Sequence, residues 1–216
     1  MSSQFDAARS KAREVLGMSV VGALSAKGYD AVFAATKEDA LSAVMHLIPD
    51  GASVGVPGTV TIREIGAMEA LAARGCKVYQ HWLPNLTPEA RKQAWLDEFN
   101  AEYFLTSANA VTRDGRIVNV DGNGNRVSAM AWSPGTLIFV IGINKVAANL
   151  DEAVSRMREA SPPNAIRLGL STPCAQTGYC VNCSSPARIC RALLILEAPT
   201  TGRKTHVIMV GEELGY

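Results

Sequence analysis

Apolar positions change period several times along the chain, and the changes divide it into helices and strands. Phe5, Ala8, Ala12, Val15 and Leu16 recur at helical spacing over Gln4 to Leu16, one face of a 3.6-residue repeat. Gly17 weakens that helix, which can continue through Val20 to Ala26 and make residues 1–28 an N-terminal helical segment. Asp30 to Ala35 reads as a short buried strand. Thr36 then caps a helix with Glu38 and Asp39 in its first turn, ended by Pro49-Asp50-Gly51. Ser53 to Val56 is a strand, Pro57-Gly58 a turn, and Thr59 opens a helix through Ala73. Gly75 to Tyr79 returns as a strand, Thr87-Pro88-Glu89 starts a helix running to Asn100, and Tyr103 to Ser107 is again a strand.

Strands alternating with helices of this length predict parallel βαβ units, hence an α/β fold with a mostly parallel sheet and flanking helices. The middle differs. Ala110 to Val120 has the pattern of a hairpin turning at Asp114-Gly115. Leu137 to Ile143 is a buried strand, Asn149 to Ala160 a helix broken by Pro162-Pro163, and Ala192 to Leu196 and His206 to Val210 are two closing strands. No repeat or clear linker interrupts this, so residues 1–216 read as one domain carrying a cysteine-rich loop at 171–191.

Composition narrows the class. With 48% hydrophobic and 19% charged residues in 216, the chain should bury about 70% of its unfolded surface and needs no disulfide staples. Its 21 basic and 20 acidic side chains give a formal charge of +1, with no Lys/Arg run, which argues against nucleic acid as partner. No apolar run reaches the ~20 residues of a membrane span, and the polar start lacks a signal peptide's apolar region. A cytoplasmic, reducing setting follows as the expectation.

In that setting the cysteines point to metal. Cys174, Cys180, Cys183 and Cys190 fall within one short stretch, spaced x5, x2 and x6. Four thiolates suit zinc or an iron–sulfur centre, and structural disulfides are disfavoured in a reducing compartment. Zinc sites usually separate two close pairs by a longer stretch. The compact spacing therefore favours a [4Fe–4S] cluster, with structural zinc as the alternative. Cys76, alone in a predicted strand, reads as a buried small hydrophobe.

Three polar segments complete the candidate chemistry. Gly58, Thr59, Thr61 and Arg63 follow a strand and open a helix, where free amides and a guanidinium can hold a carboxylate or phosphate; an ordinary capped turn is the plainer reading. Glu64 in the same segment could act as a nucleophile or simply lie on a surface helix. Asp121, Asn125 and Arg126 sit in a glycine-rich turn after a strand and could present polar groups to a ligand or bond their own backbone. Asn144 and Lys145 lie just past an apolar strand, where ligands of open α/β sheets commonly bind. The predicted ligand is a small anion.

Together Gly58 to Gly66, Asn109 to Arg126, Gly142 to Lys145 and Val207 to Tyr216 resemble the lactate-utilisation (LUD) domain family, whose members include lactate-utilisation protein C. The resemblance implies a fold akin to the NagB/RpiA/CoA-transferase group, with a ligand crevice at the strand ends. It also implies a part in oxidising lactate or a related hydroxy- or oxo-acid, alongside redox partner proteins. The four-cysteine motif marks a subgroup, since lactate-utilisation protein C generally lacks one. An accessory module that binds a small anion and keeps a structural metal is the alternative, and a homo-oligomer stays open.

Overall fold

The computed structural model describes residues 3–216. Helix α1 (Gln4–Ala26) starts at Ser3, whose side chain accepts from the Asp6 amide while Asp6 answers the Ser3 amide, a reciprocal cap. The helix runs unbroken through Gly17. A Cβ at Gly17 would come within 2.4 Å of the Phe33 ring, so the glycine lets strand β1 (Asp30–Ala34) lie against the helix. Then follow α2 (Lys37–Leu47), β2 (Ser53–Gly55), α3 (Val60–Glu64), α4 (Ala67–Ala73), β3 (Lys77–Tyr79), α5 (Pro88–Asn100) and β4 (Tyr103–Thr106). Next come β5 (Ala110–Thr112), β6 (Ile117–Asp121), α6 (Asn125–Ala131), β7 (Thr136–Gly142), β8 (Val146–Ala147), α7 (Leu150–Glu159), α8 (Ser161–Arg167), α9 (Pro173–Thr177), β9 (Ala192–Leu196) and β10 (Thr205–Val210).

Six strands form a wholly parallel sheet in the order β1-β10-β7-β4-β2-β3. Its centre shows the period of two expected where both faces are covered. Leu137, Phe139 and Ile141 of β7 pack with Val20 and Leu24 of α1 and with Met130 of α6. Ile138 and Val140 face the other way, onto Val44 of α2, Ile62 of α3 and Leu71 of α4. A second sheet, β8-β5-β6-β9, mixes one parallel and two antiparallel pairings. Val111, Ile117 and Leu196 on one face join the α1 core, and Ala110 and Val118 on the other pack against Ala153 of α7.

Several expectations shift. The helix predicted from Thr59 to Ala73 divides at Gly66, whose φ of 70° interrupts the α geometry. Pro162-Pro163 does end one helix but also opens α8, because proline fits a first turn where amides need no partner. The two closing strands part company: β9 completes the second sheet, whereas β10 lies between β1 and β7 in the first. Part of the segment read as a polar turn after Asp121 is the start of α6. The hairpin turn at Asp114-Gly115 stands as predicted, with Ala110 opposite Val118. None of the described helices is long and apolar enough to cross a membrane.

Candidate functional site

The carboxyl ends of the parallel strands meet at a cleft of about 1010 Å³, where open α/β sheets place their ligands. Gly58 and Thr59 follow β2, His81 and Trp82 follow β3, Ser107 follows β4, Lys145 follows β7 and Gly215 follows β10, and all line it. Of the residues predicted from sequence, Gly58, Thr59, Thr61, Asp121, Asn125, Arg126 and Lys145 line this one cleft. Arg63 and Asn144 do not.

Lys145 is 3% exposed. Its Nζ donates to Thr61 Oγ1 at 2.8 Å and to Ser107 Oγ at 2.9 Å, and among the described residues no carboxylate pairs with it. Burial, reinforced by the charges of Arg156 and Arg126 and opposed only by Glu64, pulls its pKa down to about 7. Arg126 reaches the carbonyls of Val120 (2.6 Å) and Gly58 (3.3 Å), tying two of the predicted loops together; burial lowers its pKa as well.

Asp121 bonds the backbone, the second of the two readings of its segment. Its carboxylate accepts from the amides of Asn123, Arg126 and Val127. It therefore caps the first turn of α6, satisfying donors a helix leaves open, and does not pair with the Arg126 guanidinium. Asn144 holds the chain's last strand exit: its Oδ1 accepts from the Leu214 amide at 3.1 Å. Glu64 does likewise, accepting from the Gly215 amide at 2.6 Å. Arg156 donates to the carbonyls of Asn144 (2.7 Å) and Asn109 (2.5 Å). These contacts press Gly215 over the lysine so closely that a Cβ there would stand 3.0 Å from Nζ.

One side of the cleft is an aromatic wall that the sequence pattern does not signal. Both the Arg63 and Arg167 guanidinium groups stack on the Trp82 indole, 4.2 and 4.0 Å from its centroid. Trp82 in turn rests on Gly58, where a Cβ would lie 2.5 Å from Nε1. Beside it, His81 Nδ1 stands 2.7 Å from Glu98 Oε1. Glu98 is 2% exposed, and burial raises its pKa against the opposing pull of His81. A buried carboxylate at Nδ1 fixes the imidazole's orientation, and His81 lines the cleft. Trp95 Nε1 and Asn125 Nδ2, from two further lining residues, are buried without a hydrogen-bond partner among the described residues. The signal for this wall was weak, because His81-Trp82 lies in a loop and Glu98 in a helix of charged residues.

Charge defines the cleft's preference. Arg91, Arg126, Lys145, Arg167, Arg188 and Arg191 line it against one carboxylate, Asp121, which is occupied by amides. Among the described residues none of these six cations forms an ion pair with a carboxylate. A chain of net charge +1 thus gathers unpaired positive charge at one place, which favours anions.

The four cysteines of the predicted metal loop also come together. Cys174, Cys180, Cys183 and Cys190 are all free thiols and all line a second cavity of about 160 Å³. Among the described residues, no group of three or more His, Cys, Asp or Glu is arranged to hold a metal ion. Cys180 Sγ accepts from the Asn182 amide at 3.4 Å, and Cys174 and Cys190 lie 3.2 Å from the hydroxyls of Thr172 and Ser161. Arg188 braces the loop through the carbonyls of Cys183 and Cys190. Val120, Arg188 and Arg191 line both cavities, so the cysteine loop is a wall of the larger cleft.

A parallel sheet with a cationic cleft at its carboxyl edge places the molecule among the α/β proteins that bind ligands at their strand ends. Within them, residues 18–210 match the LUD domain, and the chain belongs to that family, which is associated with lactate utilisation in general. The crystal structure of a DUF162 family protein from Deinococcus radiodurans has the same fold: it is similar over 92% of this chain and 98% of that one, with a TM-score of 0.54 at 15% identity. No curated protein matches the chain.

Proposed function

We propose that this protein binds a small anionic hydroxy- or oxo-acid in the cationic cleft and exchanges electrons with a partner protein through an iron–sulfur cluster held by Cys174, Cys180, Cys183 and Cys190. The observation that carries the reading is the shared wall: Val120, Arg188 and Arg191 border the acid's cleft and the thiol-lined cavity alike. A redox centre there would lie next to the bound acid, without a long path through protein.

The donor set suits a cluster. A single zinc ion would draw four sulfurs to ~2.3 Å from one point, whereas a cubane holds its sulfurs farther apart around a larger body. All four cysteines line one cavity of about 160 Å³. The hydroxyls of Thr172 and Ser161, the Asn182 amide and the guanidinium groups of Arg158, Arg188 and Arg191 suit thiolate charge. When bound, the cluster supplies one-electron transfer. The remaining residues bind and orient: Lys145 and Arg126 hold the anion, Thr59 and Asn125 offer further donors, and His81, fixed by Glu98, can accept a proton from a hydroxyl group.

Anaerobic purification tests this directly. The expected product is brown, with broad absorbance near ~400 nm and about four irons and four sulfides per chain. A colourless protein with one stoichiometric zinc would refute it. Cys183→Ser should bleach the protein while leaving it folded; unfolding on metal loss would instead make the site structural.

A further inference from the structure

A buried amine lines the cleft, and among the described residues no carboxylate forms an ion pair with it. Buried lysines are commonly paired with a carboxylate, because an unpaired buried ammonium is costly. Lys145 has only the two hydroxyls of Thr61 and Ser107. Its surroundings add to the burden, since Arg126 and Arg156 both act on it electrostatically. A lysine whose only task was to attract an anion would be better left solvated, or replaced by one more arginine like those lining the cleft mouth. What this environment favours is the neutral amine, which is a nucleophile.

We infer that Lys145 forms a reversible imine with the carbonyl carbon of a small 2-oxo acid bound in the cleft. This rests on the acid-binding half of the preceding reading and is independent of the cluster. In the addition step the Nζ lone pair attacks the carbonyl carbon, the C=O π pair moves to oxygen, and a proton passes from nitrogen to that oxygen to give a carbinolamine. In the second step the hydroxyl, with one added proton, leaves as water and a C=N bond forms. An ammonium and a ketone thus become a protonated imine and water, with no oxidant or reductant consumed.

The neighbours fit each part. Thr61 and Ser107 hydroxyls lie within hydrogen-bond reach of the reacting nitrogen and can relay its protons. The surrounding guanidinium groups suit the acid's carboxylate. The Gly215 backbone lies against the lysine, where a Cβ would stand 3.0 Å from Nζ. A pKa of about 7 keeps near half of the amine neutral at neutral pH, a fraction about a thousandfold above that of an ordinary lysine.

The test uses the protein as purified, with pyruvate and cyanoborohydride at pH 7, peptide mapping of the reduced adduct, and tryptophan fluorescence without reductant. Pyruvate should label Lys145 at least about tenfold over any other lysine, saturably, and lactate, which has no carbonyl, should label nothing. Lys145→Met should lose the adduct. Saturable fluorescence quenching with no adduct on Lys145 would overturn the imine and leave acid binding intact. No quenching and no adduct would overturn both, and equal labelling of surface lysines would overturn the imine.

Discussion

Lys145→Met should make the protein more stable, and by an amount that depends on pH. The folded-state pKa of about 7, against an ordinary value of 10.5, means that folding expels a proton the unfolded chain would keep. At pH 7 that costs about 4 kcal/mol. Methionine matches the lysine stem in volume and removes the cost. It forfeits two hydrogen bonds, to Thr61 and Ser107, each contributing about 1 kcal/mol. The net gain at pH 7 is about 2 kcal/mol, or about 4–8 °C in Tm for a chain of this length. Between pH 7 and 10.5 the unfolded state binds more protons at this site than the folded one, so wild-type stability rises with pH relative to the variant. By pH 9 the penalty has fallen to about 2 kcal/mol and the variant's advantage should vanish. Thermal melts of both proteins at pH 7, 8 and 9 measure this. A variant that melts below wild type at pH 7, or a difference that does not shrink with pH, would refute the account of Lys145 as a destabilised group retained for function.

Two substitutions separate residues that serve the fold from residues that serve the ligand. Asp121→Ala strips the Asn123 amide and two amides of α6, those of Arg126 and Val127, of their acceptor and should lower stability by about 1–2 kcal/mol, read by urea unfolding; a change within error would mean the capping bonds contribute little. Gly58→Ala places a methyl 2.5 Å from Trp82 Nε1, which must move the indole away from Arg63 and Arg167; it should cost about 1–3 kcal/mol and shift tryptophan emission, and an unchanged spectrum would show that the wall gives way elsewhere.

Much of this arrangement was legible in the sequence, and the division follows physical lines. Strand-end loops announce themselves: Gly58 to Thr61, Asp121 to Arg126 and Lys145 each follow an apolar run and combine glycine with polar groups, and the parallel sheet gathers such loops at one edge. The sequence was silent where two distant residues make one feature. Glu98 looks like any charge on the face of α5 until the fold brings it under His81. Arg167 becomes part of the site only because α8 sets it against Trp82. Roles within a loop were equally hidden. Asn144 and Lys145 are neighbours, yet the amide holds Leu214 while the amine enters the cleft, a choice made by local backbone direction. The second sheet escaped because β5 and β8 are so short that no period can be counted over them.

The cysteine loop and the cleft are joined by more than proximity. Arg188 donates to the carbonyls of Cys183 and Cys190 while lining both cavities, and Arg191 reaches back to the carbonyls of Arg188 and Pro186. Two guanidinium groups therefore fix the loop's path by bonding neutral carbonyls, which leaves their charge unneutralised. That charge acts on both sides of the wall. It favours an anion in the cleft, and a change of charge at either site alters the field at the other. Binding of a carboxylate beside Arg188 would disfavour adding an electron on the thiol side, and by linkage a more reduced centre would bind the acid more weakly. With the proposed cluster bound, such a shared wall would favour release of the acid once electrons reach the thiol side.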